Sequence, residues 1–538
     1  MQSTMMDYPL LLTHLLERAH KLFPSREIVS RAPDRSLERT TYAEVARRSW
    51  QLAAGLSAAG LKPGDRVATL MWNHSVHLEA YLGIPAAGGV THTLNPRLSP
   101  EDLAYIVNHA EDRFLIIDQS LLPVLQSFQD QVHLDAIYVH GTPESGVEPY
   151  ADYEQLLSPH KFTPPALSES QAAAMCYTSG TTGKPKGVVY SHRALVLHTL
   201  VESLPLALDA GMKDTLMPVV PMFHVNAWGI PFAGLASGCK LVFPGPHLDP
   251  KSLLELMSEE GVSLAAGVPT VWFGVLDLLE SNPTLYALKP GTRIVIGGAA
   301  APISTIERAE RLGLEVVQAW GMTELTPIGT VSRLKPELEQ LPEPERNRVR
   351  TTQGLPVPWI EVRIQGAGDE PLPWDGQTAG ELAVRGPWVT GSYYKNPEAG
   401  DRFTPDGWFL TGDLATIDPE GYVRLVDRVK DLVKSGGEWI SSVELENALM
   451  GHPGVKEAAV IAIPHPKWQE RPIAVVVPRD GSQLSEDQLR EFLAASFPKW
   501  WLPDAFVFID AIPRSAAGKF LKRELRDRYS QWHWEDDS

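Results

Sequence analysis

The segment Tyr177-Thr-Ser-Gly-Thr-Thr-Gly-Lys-Pro-Lys-Gly187 concentrates the residue types that grip phosphate. Its three glycines let backbone N–H groups approach phosphate oxygens closely. Thr178, Ser179, Thr181 and Thr182 add hydroxyl donors, and Lys184 and Lys186 supply positive charge. The apolar run before it, Gln171-Ala-Ala-Ala-Met-Cys-Tyr177, reads as a strand, so the loop leaves a strand end. The spacing G-x-x-x-x-G-K-[ST] of P-loop nucleoside triphosphatases is not met, because Gly183-Lys184 is followed by Pro185 and Thr178 stands where the first glycine belongs. Pro185 also prevents a helix from starting directly after the lysine. Further candidates lie downstream: the hydroxyl and carboxylate of Thr323-Glu324, Asp413 after a glycine, Arg428, and Lys519 on Ser-Ala-Ala-Gly-Lys. Taken alone, each has an ordinary reading as a common dipeptide, an Asx turn, a surface ion pair or a solvated charge.

Their order removes that ambiguity. Tyr177–Gly187 resembles the phosphate-loop signature of the adenylate-forming superfamily, which holds acyl-CoA synthetases, adenylation domains and firefly-type luciferases. Gly297-Gly-Ala-Ala-Ala-Pro302 resembles the adenine-side loop of that superfamily, and Gln318-Ala-Trp-Gly-Met-Thr-Glu324 its YGxTE motif, with Trp320 in place of Tyr. Trp408-Phe-Leu-Thr-Gly-Asp413 resembles the TGD motif, and Asp427-Arg-Val-Lys-Asp431 the hinge motif. Pro513-Arg-Ser-Ala-Ala-Gly-Lys519 resembles the terminal catalytic-lysine motif, with Ser515 where Thr is commoner. The resemblance covers nearly the whole chain.

It implies a reaction in two halves. A carboxylate attacks the α-phosphate of ATP to give acyl-AMP and pyrophosphate, and a thiol then displaces AMP. The first half gathers negative charge and needs donors, cations and Mg²⁺. By resemblance, Thr178, Ser179, Gly180, Thr181, Thr182, Gly183 and Lys186 hold the β- and γ-phosphates. Gly298, Ala299, Gln318, Ala319, Trp320 and Gly321 flank the adenine; Trp320 keeps a flat stacking face but loses the phenol. Thr323 donates to the α-phosphate, while Glu324, with Thr181, holds Mg²⁺. Asp413 accepts the ribose hydroxyls, Arg428 reaches ribose or phosphate, and Lys519 stabilises charge as the acid attacks. A lysine on a terminal unit implies domain motion about a hinge at Lys430, with Ser435, Gly436 and Gly437 lining the thiol path.

Pro221-Met-Phe-His-Val-Asn-Ala-Trp228 carries the acyl side. In fatty acyl-CoA synthetases a similar segment bears an aromatic gate, the position of Trp228 here, and His224 falls near the carboxylate. No acidic residue occurs between Thr215 and Cys239, so an ammonium-bearing amino acid lacks an obvious partner there. Only 19 residues follow Lys519, too few for a carrier domain, so the acceptor is expected to be coenzyme A. A medium- or long-chain fatty acid is the expected substrate. The Met-Met-Asp-Tyr-Pro-Leu-Leu-Leu start and the His-Val-Asn-Ala-Trp segment also resemble ligases for 3-methylmercaptopropionate, which keeps short acids open. A non-catalytic nucleotide-binding protein is disfavoured because Lys519, Glu324 and the phosphate lysines are all present.

The elements that position these residues follow from periodicity. Strands at 66–72, near 90 and at 113–118 alternate with helices opened by Thr41-Tyr-Ala-Glu44 and Ser99-Pro-Glu-Asp102, and the alternation returns over 250–320. That is α/β architecture with parallel sheets. After residue 350, short strands and turns read as a small antiparallel β region, and from 428 the chain becomes α+β. The expected division is a large N-terminal domain, 1–427, and a small mobile α+β domain, 428–538.

Composition bounds the rest. With 48 basic and 66 acidic side chains the formal charge is −18, so nucleic acid is not an expected partner. Cys176 and Cys239 are the only cysteines, which excludes a disulfide scaffold and fits a cytoplasmic protein. The start has no basic n-region, so a signal peptide is not expected. The uncharged stretch from Thr215 to Cys239 is broken by Pro218, Pro221 and Pro231, and reads as a buried strand, loop and helix rather than a membrane span. A homodimer is left open.

Overall fold

The computed structural model describes all residues except 2, 142–149, 179–183, 299, 367, 437, 480, 515–519 and 535–538. Among the described residues, the strands form four sheets. The first runs Ala151–Asp152, Ala136–His140, Asp112–Asp118, Arg66–Leu70, Val90–Thr93, Ala172–Tyr177, Gly187–Ser191. It is parallel except for its last pair. Ser75–Ala86, the helix after Arg66–Leu70, is buried along its whole length, and its even apolar coverage is that of a core helix. The capping expected from the sequence is present: Thr41 and Ser99 accept from the N–H groups of Glu44 and Asp102.

The second sheet has nine strands, with Thr215–Pro218, Leu264–Gly267, Thr292–Ile296 and Leu314–Gly321 at its parallel centre. Its edges are antiparallel, including the Glu27–Arg31/Leu37–Thr41 hairpin. Polar Leu37–Thr41 lacks strand periodicity and follows a turn, so the sequence did not announce it. The stretch from Thr215 to Cys239 becomes a strand and the helix Ile230–Ser237 as expected, and no described helix is long and apolar enough to cross a membrane.

The third sheet is the antiparallel β region: Glu361–Gln365, Gly380–Arg385, Phe409–Ile417, Val423–Arg428. One hydrophobic cluster joins it to the two large sheets, drawing on Val188, Leu216, Val317, Ile364 and Leu382. The fourth sheet is separate, with Gln469–Pro478 at its centre, Val455–His465 along one edge, and apolar clusters on both faces. The boundary expected between 427 and 428 falls inside a strand. Arg428 is the last residue of Val423–Arg428 and pairs with Asp413, so the change of sheet comes between Arg428 and Val433.

Candidate active site

A pair of antiparallel strands flanks the phosphate segment. Ala172–Tyr177 and Gly187–Ser191 pair antiparallel up to Tyr177 opposite Gly187, and Thr178 N–H then donates to Lys186 O at 2.9 Å. Lys186 N–H returns to Thr178 Oγ1 at 3.2 Å. A strand therefore follows the lysines where a P-loop nucleoside triphosphatase would have a helix, in line with Pro185. Ser179, Gly180, Thr181, Thr182 and Gly183 lie outside the described residues. Lys184 Nζ sits 4.7 Å from the centre of the Tyr105 ring, and Lys186 Nζ 5.0 Å from that of Tyr393.

Tyr393 connects this strand pair to Thr323-Glu324. Its hydroxyl donates to Glu324 Oε1 at 2.6 Å, and Glu324 is only 6% exposed. Burial and the Glu324 carboxylate both raise the Tyr393 phenol above its ordinary range, so it remains a donor. Tyr190, from the second strand of the pair, donates to Thr323 O at 2.8 Å, and Thr390 N–H donates to Glu324 O. Lys186, Tyr393, Glu324 and Thr323 thus converge from three segments. Sequence reasoning missed Tyr393 and Tyr190: an aromatic in Gly-Ser-Tyr-Tyr or at a strand end carries no mark of its partner.

Trp320 does not present an open stacking face. It is 7% exposed, packs against Gly329 where a Cβ would lie 2.6 Å from its ring, and donates Nε1–H to Asp413 Oδ2 at 3.0 Å. The ordinary reading of a buried aromatic therefore describes its packing, and the indole N–H supplies a hydrogen bond that the lost phenol had left open. Asp413 is 2% exposed, and its Oδ1 lies 2.6 Å from Arg428 Nε across the paired strands.

Gln318 is likewise buried. Its Oε1 accepts from Ala301 N–H at 2.6 Å and its Nε2 donates to Thr351 O and Thr352 O, so it pins the 297–302 loop to the segment after Glu343–Arg350. Gly298 takes φ +85°, a left-handed value that suits glycine. Ala319 is half-buried and Gly321 pairs with Ile328, where any Cβ would strike Pro327 O. Ala299 is outside the described residues.

The acyl segment holds the most strained backbone. Val225, Asn226, Ala227 and Trp228 all have φ between 46° and 57°, and Gly229 continues at 83°, a left-handed turn after His224. Each non-glycine residue there costs about 1–2 kcal/mol, a strain retained where the surroundings over-determine it. Asn73 supplies much of that restraint: its side chain donates to Pro218 O and Val220 O and accepts from Met222 N–H at 2.6 Å. Tyr81 donates to Met222 O and Thr93 to Phe223 O. Gly229 presses on buried Glu202 and His198, leaving no room for a side chain. Burial raises the Glu202 carboxyl well above the carboxylate range. Half-buried Trp228 lies against Gly297, where a Cβ would stand 2.8 Å from Cη2, so the acyl turn touches the 297–302 loop.

The hinge stretch bends in one turn, with Asp431 and Leu432 N–H groups both donating to Arg428 O and with Val429 and Lys430 exposed. Asp427 Oδ2 accepts from the N–H and hydroxyl of Ser442, and Lys522 Nζ reaches both Ser442 Oγ and buried Glu446. Ser435 and Gly436 lie at a strand end of the fourth sheet. Ser435 Oγ accepts from Arg471, and Gly436 N–H donates to Trp468 O. Gly437 and Lys519 are outside the described residues.

Known proteins match this chain over most of its length. The AMP-binding enzyme family matches residues 16–394, and the AMP-binding enzyme C-terminal domain matches 444–519. A long-chain-fatty-acid–CoA ligase of Thermus thermophilus is 53% identical over 99% of this chain and 98% of its own. A 3-methylmercaptopropionyl-CoA ligase of Ruegeria lacuscaerulensis is 44% identical over 98% of this chain and 99% of its own. The crystal structure of an anthranilate CoA ligase with anthranoyl-AMP superposes with a TM-score of 0.86 at 22% identity, covering 98% of both chains, and shares the fold.

Proposed function

Because the chain belongs to the AMP-binding enzymes, we propose that it is an ATP-dependent acyl-CoA synthetase acting on a medium- or long-chain fatty acid. The observation that carries this reading is the convergence of Lys186, Tyr393 and Glu324, which brings a cation and an oriented carboxylate to one place. In the first half-reaction the donors of the phosphate segment and Lys186 hold the β- and γ-phosphates, and Thr323 donates to the α-phosphate. Lys519 stabilises the charge that builds as the acid oxygen attacks phosphorus. Asp413, held by Trp320 and Arg428, accepts from the ribose. The adenine lies along the 297–302 loop and Ala319, with Trp320 as packing beneath it.

Glu324 fits a role toward Mg²⁺: it is a buried hard-oxygen ligand with Oε1 occupied by Tyr393 and a second oxygen remaining, and Thr181 would join it. Magnesium, when bound, would offset phosphate charge. The second half-reaction passes the acyl group to coenzyme A after the terminal unit turns about Lys430, with Ser435, Gly436 and Gly437 near the thiol.

The longer-acid reading is supported by the identity to a long-chain ligase and by a gate-like aromatic at Trp228. The 44% relative keeps 3-methylmercaptopropionate as a second reading. Pyrophosphate release measured with 3-methylmercaptopropionate and with straight-chain acids from propionate to palmitate, with and without CoA, decides between them. CoA-dependent turnover rising with chain length supports the proposal. A 3-methylmercaptopropionate optimum favours the second reading, and CoA-independent acid adenylation with no thioester would overturn both.

A further inference from the structure

Away from the nucleotide residues, three strands of the first sheet end side by side, and each end delivers a metal-capable side chain. Asp118 closes Asp112–Asp118, His140 closes Ala136–His140, and His74 lies just beyond Arg66–Leu70 as the N-cap of Ser75–Ala86. One ligand atom from each lies within 4.8 Å of the other two. The crevice beyond the carboxyl ends of parallel strands is where such sheets place ligands.

The local hydrogen bonds orient the set. His74 Nδ1 accepts from His77 N–H at 3.3 Å, so Nε2 is the nitrogen that faces Asp118, 2.9 Å from Oδ2. Trp72 N–H donates to that same carboxylate at 2.8 Å and fixes its rotation. His140 makes no side-chain hydrogen bond among the described residues; its ring packs on His74 at 5.2 Å and edge-on to Tyr153. His77 is not a fourth member, since its nitrogens are committed to Trp72 O and Thr69 Oγ1.

We propose that His74, Asp118 and His140 form a binding site for a first-row divalent transition ion such as Zn²⁺. Two imidazoles and one carboxylate match the donors such ions prefer, whereas Mg²⁺ and Ca²⁺ take oxygen ligands, so this site is separate from the phosphate chemistry. Bonds of about 2.0–2.1 Å in a tetrahedral ion set ligand atoms about 3.3 Å apart. The cluster needs only to open the His74–Asp118 contact slightly and draw His140 inward. Water would fill the fourth position. The ion would also fix the 72–74 loop, whose Asn73 clamps the acyl segment at Pro218, Val220 and Met222.

The test uses the full chain, freed of metal by a chelator that is then removed, with no ATP present. Co²⁺ and Zn²⁺ are titrated into the wild type, His140→Ala, Asp118→Asn and a surface control, His160→Ala. The expected result is one equivalent of Co²⁺ with absorption in the visible, displaced by Zn²⁺, and a Zn²⁺-dependent rise in melting temperature. Both should survive in His160→Ala, and affinity should fall at least about tenfold in His140→Ala and Asp118→Asn. Asp118→Asn keeps an acceptor for Trp72, so it serves if His140→Ala fails to fold. A wild type that binds no Co²⁺, or one whose binding is unchanged in both ligand variants, overturns the proposal.

Discussion

Trp320 and Arg428 hold opposite oxygens of one carboxylate: the indole Nε1–H donates to Asp413 Oδ2 at 3.0 Å while Arg428 Nε lies 2.6 Å from Oδ1. Asp413 is buried, so removing either donor leaves a desolvated oxygen uncompensated. Trp320→Phe keeps an aromatic and deletes the N–H. It should cost about 1–3 kcal/mol of stability and raise KM for ATP more than KM for the acid. Equal KM values with unchanged melting would show that the bond does not position Asp413.

Tyr393 orients Glu324 through a single hydroxyl. Tyr393→Phe retains the ring beneath Lys186 and frees Glu324 Oε1. Activity should fall about tenfold or more, with a higher Mg²⁺ concentration needed for half-maximal rate. Glu324→Gln should show the same metal phenotype in stronger form. Full activity at unchanged Mg²⁺ in both variants would leave Glu324 a structural carboxylate.

Lys519 is assigned from its motif alone. Lys519→Ala should lower acid-dependent pyrophosphate release by about 10²–10⁴-fold, the range for an electrostatic or proton-transfer group. Supplied acyl-AMP plus CoA should still give thioester. Equal loss in both half-reactions would sink the two-orientation scheme.

Two buried histidines should each cost stability in mild acid. Burial pushes His198 down to about 3 and His192 down to about 4 from an ordinary 6.5. Between pH 6.5 and those values the unfolded chain binds a proton at each site and the folded chain does not. Their contribution is therefore fully present above pH 6.5 and lost as pH falls, at about 1.4 kcal/mol per pH unit per group. Raised carboxyls such as Glu202, and Glu446 at about 7, pull the other way, so the readout is a difference: from pH 7.5 to 5, His192→Gln should lose less melting temperature than the wild type, or gain more. An unaltered slope would exclude His192 from the titration.

Much of the fold was legible because local rules dominate it. Capping patterns at Thr41 and Ser99, apolar runs at 66–70 and 113–118, and Pro185 after Lys184 each act within a few residues of themselves. What escaped depends on pairing at long range. Nothing near Trp320 announces Asp413, 93 positions away, and nothing near Tyr393 announces Glu324. Gln318 read as a nucleotide residue because its motif is one, yet its amide is spent on backbone groups at Ala301, Thr351 and Thr352. The left-handed run Val225–Gly229 was equally hidden, since Val225, Ala227 and Trp228 in it do not favour positive φ.

That run frames the last prediction, the role of Trp228. Plain core packing would make Trp228→Ala cost about 3–5 kcal/mol. Trp228 is only half-buried, however, on strained backbone, with its ring against Gly297 of the adenine-side loop. An aromatic so placed can move when that loop moves, as a gate must. Truncation should then cost less stability than a core site and change the chain-length profile of kcat/KM. Each buried methylene contributes about 0.8 kcal/mol, so an open tunnel should show affinity rising stepwise from butyrate to palmitate. Gly297→Ala, which forces the ring from its present seat, should shift the same profile although the indole itself is retained. A Trp228→Ala protein that melts much earlier yet ranks the acids as the wild type does would identify Trp228 as core and remove the gate.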